Sequence, residues 1–235
     1  IPDAGLSAWP VTQGLPFPEG DLSDARNLRL LDGAGNEVPL QVTPLNRWPD
    51  GSIRWALLDF QADAARGREP EYTLEYGTAV GRAAVPEALH VTESAEGLSV
   101  SAGPMRVELS RSRGLMGRVF LDDQLVSEGA FAELIGAEGT NFDTLNPAEE
   151  VSIELPGPLH TVVHVKGSFL AGDGSKLFAY EARLHFYAGQ SFVRAFFTFG
   201  NDNTAQNFTT IESLSLRVLL TAGGNTSCAF GADDL

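Results

Sequence analysis

The feature that most constrains the fold is a strict alternation of apolar and polar residues in the second half of the chain. In TVVHVKGSF, Val163, Val165 and Phe169 fall on one side, and polar residues fall on the other. The segment KLFAYEARLHFY, residues 176–187, alternates in the same way. Successive side chains of a β-strand point to opposite faces, so the pattern predicts an antiparallel sheet with one packed face and one polar face.

The first third of the chain predicts shorter strands joined by tight turns. Turn signals rich in Gly, Asp and Pro separate four apolar segments, which are Leu28–Leu31, Val38–Thr43, Ile53–Phe60 and Glu71–Tyr76. The stretch TAVGRAAVPEA, which begins at residue 78, is typical of a linker. We therefore expect an all-β protein with a small N-terminal β-barrel over residues 1–77, a linker over 78–85 and an antiparallel β-sandwich over 86–235.

Two finer expectations concern the later part of the chain. The segment SFVRAFFTF, residues 191–199, is apolar on both faces except at Arg194, which favours a central strand. The segment GAEGTNFDTLNPAEE, residues 136–150, has the composition of an exposed loop. No stretch shows the period of an amphipathic helix.

Composition excludes several classes of function. The net charge of −15 disfavours nucleic acid and anionic membranes as partners, because phosphate binding requires a basic surface. No apolar run is long enough to span a membrane, and no signal peptide is visible. The single cysteine, Cys228, excludes an internal disulfide and is expected to be a small buried apolar residue. His160 and His164 are too far apart on a strand to share a metal, so no metal site and no cofactor are predicted.

The stretch NRWPDGSIRW, residues 46–55, combines aromatic and charged residues around a turn signal. Pro49, Asp50 and Gly51 are typical of a tight hairpin turn, and the residues after them predict a buried strand. We favour a structural role for this hairpin. Arg47, Trp48 and Asp50 are kept as candidates for contact with a sugar at its rim.

The polar face of the predicted sandwich is a second candidate site. Its members are His164, Lys166, Glu181, Arg183, His185, Arg194 and Arg217. Two interpretations stay open, a surface that binds anions or sugars and a solvated face whose charges pair across strands, and the second is favoured. From this face we take Arg183, His185 and Arg194 as candidate substrate-binding residues.

Other chemistry is less well supported. The arginines of MRVELSRSRGLMGRVF, residues 105–120, would suit a uronate carboxylate, but a solvated hairpin is favoured. The motif of serine hydrolases is absent from the sequence. With 31 acidic residues, a pair of carboxylates carries no signal for a glycosidase. No catalytic residue is assigned.

Residues 11–63 resemble a known family. The run contains a GxPFPxG element at residues 14–20, an EVPLQ segment at 37–41 and the block RWPDGSIRWALLDF at 47–60. These elements are similar to the opening domain of the exo-rhamnogalacturonan lyases of polysaccharide lyase family 26 and their YetA-like relatives. The resemblance implies a RIFT-type β-barrel, then a β-sandwich, then a helical toroid. From residue 86 onward it depends on order and length rather than on a motif.

The resemblance implies cleavage of pectic rhamnose–galacturonate bonds by β-elimination. A base removes the proton at C5 of the uronate while its carboxylate is neutralised. The active cleft is expected on the helical toroid, so this chain is expected to be an accessory region that is catalytically incomplete alone and contacts a downstream helical domain. The alternatives are a non-catalytic carbohydrate-binding or scaffold module that uses Trp9, Trp48 or the arginines of residues 105–118, and the front end of an enzyme on another polysaccharide. A secreted or periplasmic bacterial location is favoured.

Overall fold

The computed structural model of the chain describes residues 6–64, 70–85, 89–204 and 208–221. The all-β prediction is confirmed, because these residues form strands, turns and two short 3-10 helices at Ala25–Asn27 and Ala137–Gly139. Within the described ranges no helix has the length and apolar character needed to cross a membrane. Cys228 lies outside them. The chain divides into two compact units, Ile1–His90 with Leu155–Thr161, and Val91–Glu154 with Val162–Leu235.

The first unit is built from short strands at the positions that the turn signals indicated, preceded by one strand that the sequence analysis did not predict. Its strands are β1 (Leu6–Pro16), β2 (Leu28–Asp32), β3 (Glu37–Val38), β4 (Leu40–Arg47), β5 (Ile53–Ala64) and β6 (Tyr72–Tyr76). Residues 78–85, predicted as a linker, contact this unit: Asn27 donates to the Val80 carbonyl, and the Ala83 amide donates to Glu37.

Two antiparallel three-stranded sheets form the first unit, in the orders β1-β5-β4 and β3-β2-β6. Their strands are not closed into a continuous barrel. Pro39 lies between β3 and β4, where the sequence predicted one strand over Val38–Thr43. Proline has no backbone N–H to donate to a ladder, so the chain leaves one sheet and enters the other at this residue.

A compact apolar core lies in this unit. Ala56 and Leu58 point into it from β5, as expected for residues two apart on a strand. The buried members of the core are Phe17, Leu22, Leu28, Leu30, Leu40, Ile53, Ala56 and Leu58. Trp55 corrects the prediction that this strand is buried throughout, because its side chain is 41% exposed on the opposite face, above Gly14.

That opposite face of β5 carries a buried polar cluster around Asp59. Thr12, Asp59 and Gln41 are cross-strand neighbours on β1, β5 and β4. Thr12 Oγ1 donates to Asp59 Oδ1 over 2.6 Å, and His160 Nδ1 lies 2.7 Å from the same oxygen. The Gln41 amide accepts from the backbone amides of Leu159 and His160 and donates to the His160 carbonyl. Segment 155–161 is therefore anchored on the first unit by buried hydrogen bonds.

The second unit contains eleven strands among the described residues. They are β7 (His90–Glu93), β8 (Gly97–Ser101), β9 (Met105–Ser110), β10 (Val119–Leu121), β11 (Gln124–Gly136), β12 (Asn141–Asp143), β13 (Glu150–Leu155), β14 (His160–Ala171), β15 (Lys176–Tyr187), β16 (Val193–Gly200) and β17 (Ile211–Leu220). The 13-residue β11 is a branch point, because it pairs with β10, β12 and β17.

The alternation that predicted the sandwich is visible in its burial. Along β15 the buried side chains are Phe178, Tyr180, Ala182, Leu184 and Phe186, each two residues from the next. β14 buries Val163, Val165 and Phe169 in the same way. The antiparallel sandwich class is confirmed.

Two finer predictions for this unit are wrong. β16, predicted to be central, is at the end of the strand order, and among the described residues it pairs only with β15. Its apolar residues continue onto the exposed face, so apolarity on both faces did not indicate burial. Residues 136–150, predicted as a loop, include β12 and the buried Thr144, whose Oγ1 accepts from the Ala132 amide. This hydrogen bond fastens the segment to β11.

Candidate functional site

The predicted polar face is assembled by three neighbouring strands, β14, β15 and β16. In the register of β15 and β16, His185 lies opposite Arg194, and Arg183 lies opposite Phe196. His164 on β14 lies within 3.5 Å of Glu181 on β15. The structure therefore brings Arg183, His185 and Arg194 together. We call this group the sheet-face cluster; its members are His164, Glu181, Arg183, His185, Arg194 and Phe196.

Arg183 is held by carboxylates on both sides. Its Nε lies 2.7 Å from Glu154 Oε2, and its Nη1 lies 3.4 Å from Glu181 Oε2. The hydrogen bonds that Arg183 donates to Glu154 lower the pKa of the Glu154 carboxyl and raise the pKa of the Arg183 guanidinium. A guanidinium that is engaged in a fork with a carboxylate has little capacity left for a second anion.

His164 lies between two further carboxylates. Its Nδ1 is 3.8 Å from Glu150 Oε1 and its Nε2 is 3.5 Å from Glu181 Oε2. The second distance does not give a hydrogen bond, and Nε2 is buried without such a partner among the described residues. A hydrogen bond from Ser152 is the main reason that the pKa of Glu150 is lowered, with the charge of His164 as a smaller cause.

Arg194 differs from Arg183 because its charge is not neutralised. Its guanidinium lies 5.7 Å from the ring centre of Tyr187, and the described residues provide no carboxylate partner for it. The neighbouring Phe196 is 55% exposed and meets His185 edge to face, with ring centres 5.1 Å apart. An unpaired guanidinium beside an exposed aromatic ring can bind a carboxylate and the apolar face of a sugar ring at the same time.

Four other basic residues of the prediction form ion pairs in the structure. Arg217 lies on β17, where it pairs with Glu133 of β11, so it does not join the sheet-face cluster. In the arginine-rich hairpin, Arg106 and Arg118 both pair with Glu108. Arg111 pairs with Glu93 and also donates to the Val151 carbonyl. These three arginines support the charge-paired interpretation of that hairpin.

The hairpin candidates Arg47, Trp48 and Asp50 are brought together in the turn between β4 and β5. Trp48 Nε1 donates to the Phe17 carbonyl over 2.9 Å, and the Arg54 guanidinium covers its ring at 4.6 Å. Arg47 donates to the Gly51 carbonyl over 2.7 Å. Asp50 accepts from the Ser52 amide and hydroxyl, and these bonds lower its pKa. All three side chains thus make contacts that close the hairpin.

Phe196 of the cluster and Glu154 beside it were missed by sequence reasoning. Phe196 was included in an apolar run, although its parity with Arg194 along the strand placed both on one face. Glu154 lies on β13, 29 residues before Arg183, and no local pattern indicates this pairing. Within the described ranges no group of three or more His, Cys, Asp or Glu residues is arranged to hold a metal ion.

The fold and the cluster define a two-unit all-β protein, with a small two-sheet unit followed by an antiparallel sandwich whose exposed face carries charged and aromatic residues. Comparison with family models matches residues 4–77 to the PcRGLX-like N-terminal RIFT barrel domain and residues 89–225 to the PcRGLX-like protein central beta sandwich domain. The chain belongs to this family, which is rhamnogalacturonan lyase-like. A comparison with curated proteins gives no match.

Proposed function

We propose that this chain is the β-rich accessory region of a polysaccharide lyase of family 26 that cleaves pectic rhamnose–galacturonate polymers by β-elimination. The observation that carries the proposal is the pair of family matches, which together include most of the chain and follow the order barrel then sandwich. Activity on such a polymer also favours a secreted or periplasmic bacterial protein.

The role proposed for the sheet-face cluster is binding of galacturonate. Arg194, which has no carboxylate partner in the described part of the chain, offers its guanidinium to the carboxylate, and Phe196 offers an exposed ring to the sugar. His185 and Arg183 border the same surface. Arg47, Trp48 and Asp50 are given a lesser role, as a rim that a polymer touches, because each also closes its own hairpin.

The chemistry itself is proposed to need residues outside this region. β-Elimination requires a base that is able to reach the C5 proton of the uronate. In and beside the sheet-face cluster, the carboxylates of Glu181 and Glu154 are engaged by Arg183, and the neighbouring Glu150 accepts from Ser152. These carboxylates are better suited to holding the binding residues in position than to removing a proton.

Calorimetric titration with trigalacturonate tests the binding role. Arg194→Ala is expected to weaken binding about tenfold, because a hydrogen bond to a charged group contributes roughly 1.5–3 kcal/mol. Arg26→Ala is the matched control, since it removes one exposed positive charge that is paired with Asp24 in the first unit. Equal loss in both variants, or no binding by the parent chain, contradicts the proposed role of the cluster.

Turnover is tested separately with rhamnogalacturonan I. The expected result is no increase in the absorbance of unsaturated uronate above the rate without protein. Robust turnover by this chain would show that it is catalytically complete. Binding of unrelated polysaccharides with no preference for the pectic polymer would instead favour the front end of an enzyme with another substrate.

A helical domain is proposed as the intramolecular partner, and β17 is the surface offered to it. Leu216, Val218 and Leu220 alternate along this strand and are at least half exposed, an apolar row of the kind that partners bury. In the whole protein, amide hydrogen exchange along β17 should be slower than in this chain alone. Equal exchange rates in the two would rule out this contact.

A further inference from the structure

A cavity of about 580 Å³ lies in the second unit. None of the residues that line it belongs to the sheet-face cluster. It is bounded by β8, β9, the turns after β9, and β11, with Leu219 of β17 at one side. Its volume is within the roughly 300–1,000 Å³ of ordinary small-molecule sites. No part of the proposed galacturonate site contributes to it.

Three glycines of the cavity wall lie where backbone segments come close together. A Cβ on Gly97 would lie 1.9 Å from the Leu109 carbonyl oxygen, and a Cβ on Gly117 would lie 2.3 Å from the Glu108 carbonyl oxygen. Gly129 is also restricted, since its Cβ would lie 2.6 Å from the Met116 carbonyl oxygen. These positions have no room for a side chain, so at them the neighbouring backbone segments that border the cavity approach one another closely.

Three charged side chains in the lining are not engaged by the protein. Arg113, Glu96 and Glu128 make no side-chain hydrogen bond or ion pair with any described residue, whereas Arg118 in the same lining is paired with Glu108. One free guanidinium and two free carboxylates offer both donors and acceptors. Sugar hydroxyls use both kinds of partner, because each hydroxyl donates one bond and accepts others.

Apolar groups complete the lining. Met116, Phe131 and Leu219 contribute to the walls beside the polar residues. A pyranose ring has C–H faces that pack on such surfaces and a rim of hydroxyls that reaches polar groups. The mixture therefore suits a saccharide better than a purely apolar ligand.

Charge decides which class of saccharide fits. The free groups carry two negative charges and one positive charge, and the whole chain carries −15. A carboxylated sugar would meet net repulsion at contact distance, where salt screens least. We propose that this cavity is a second carbohydrate site, which binds an uncharged oligosaccharide with Glu96, Glu128 and Arg113 as its hydrogen-bonding residues.

Methyl NMR gives a direct test, because the chain has only two methionines. Met116 lines the cavity and Met105 is buried outside its lining, so the pair provides a reporter and an internal reference. Protein labelled at the methionine methyl groups is titrated with β-1,4-galactotriose, maltotriose and trigalacturonate, and Met116→Leu assigns the signals. A neutral trisaccharide is expected to shift the Met116 signal and leave that of Met105 in place.

Variants locate the site. Glu128→Ala and Arg113→Ala should each weaken the neutral titration about tenfold, since each removes hydrogen bonds to a charged group. Glu212→Ala removes an exposed acid of the same unit that does not line the cavity, and it should leave the titration unchanged. The proposal is overturned if neither neutral trisaccharide shifts Met116, if trigalacturonate shifts it more strongly, or if Glu128→Ala behaves like Glu212→Ala. Failure here is distinct from failure of the galacturonate site, which is read out by Arg194→Ala.

Discussion

At the scale of single residues, Gly157 is the described glycine of the first unit with the least space for a side chain, because it lies against the buried Gln41. A Cβ on Gly157 would lie 2.2 Å from the side-chain amide of Gln41, and that amide is held by bonds to Leu159 and His160. The Gln41 side chain cannot move aside without breaking these bonds. Gly157 is therefore required by packing in the folded chain and not by an unusual backbone angle.

Gly157→Ala is accordingly expected to lower the free energy of unfolding by about 1–3 kcal/mol, the usual cost of overpacking. Urea denaturation followed by tryptophan fluorescence measures the change. Gly172→Ala is the control, because nothing lies within 4 Å of its Cβ position. Equal midpoints for the two variants would mean that Gln41 gives way at no cost.

Tyr180 provides a pH-dependent readout of burial. Burial raises the pKa of Tyr180 to about 12 from an ordinary value near 10. The negative charge of Glu149 is a smaller cause of the same shift. The folded state therefore keeps the phenol proton where the unfolded state releases it. Stability from this difference is complete below about pH 10 and is lost as the pH rises towards 12.

Spectroscopic titration of tyrosinate absorbance checks this expectation. One of the four tyrosines should ionise near pH 12, and Tyr180→Phe should remove that step. Between about pH 10 and 12, the free energy of unfolding of the parent chain should fall by about 2 kcal/mol more than that of the variant. Tyrosines that all ionise together near pH 10 would show that Tyr180 is accessible to water.

The buried polar cluster shows why some residue roles were not predictable. His160 and Asp59 are 101 residues apart in sequence, and His160 and Gln41 are 119 apart. Asp59 and Gln41 fall within segments that predict strands and carry the family resemblance, but nothing in those segments points to His160 as a partner. Charge and hydrogen-bond pairing over such separations depends on the fold, because local periodicity carries no information on which strand covers which.

At the scale of elements, β16 separates two phenylalanines that are adjacent in sequence. Phe197 packs on Tyr180 and Phe169, with ring centres 6.0 and 6.2 Å away. Phe196 points to the other face and is 55% exposed. The two residues have the same chemistry and the same backbone, so they form a matched pair for measuring what burial on this edge strand contributes.

Phe197→Ala is expected to lower the free energy of unfolding by about 2–4 kcal/mol, whereas Phe196→Ala should cost less than about 1 kcal/mol. Thermal and urea denaturation of the two variants provides the comparison. Similar losses would mean that both faces of β16 are buried, as the sequence alone suggested.

Strand existence was predictable for much of the chain, and strand environment was not. The alternation in residues 161–169 and 176–187 corresponds to β14 and β15, and the turn at Pro49–Gly51 lies between β4 and β5. The break at Pro39 and the edge position of β16 were missed. An interrupted ladder and an edge both depend on whether a neighbouring strand is present, which the sequence of one strand does not record.

At the scale of the whole molecule, the first unit is discontinuous in sequence. It includes Leu155–Thr161, which supplies the buried Leu159 and the partners of Gln41 and Asp59. A fragment of residues 1–90 lacks this segment and leaves that face of the β1-β5-β4 sheet in water.

The fragment of residues 1–90 is therefore expected to be less stable than the same unit in the full chain, by at least about 2 kcal/mol, because one Leu side chain and several hydrogen bonds are lost. Circular dichroism melting curves compare the two. A peptide of residues 153–163 added to the fragment should raise its melting temperature, and a scrambled peptide should not. A fragment as stable as the intact unit would contradict the anchoring role of segment 155–161.

The sequence by itself determined the all-β class, the sandwich alternation, the position of the hairpin and the resemblance that the family matches support, because these depend on periodicity, turn chemistry and contiguous motifs. Only the tertiary structure decided that Arg194 has no carboxylate partner among the described residues while Arg183 is held by Glu154, that Asp59 meets His160, and that a cavity lies beside β8 and β9. The physical reason is that neighbours from distant strands decide whether a charged side chain is paired and how much space surrounds it. Strand order and register bring those neighbours together.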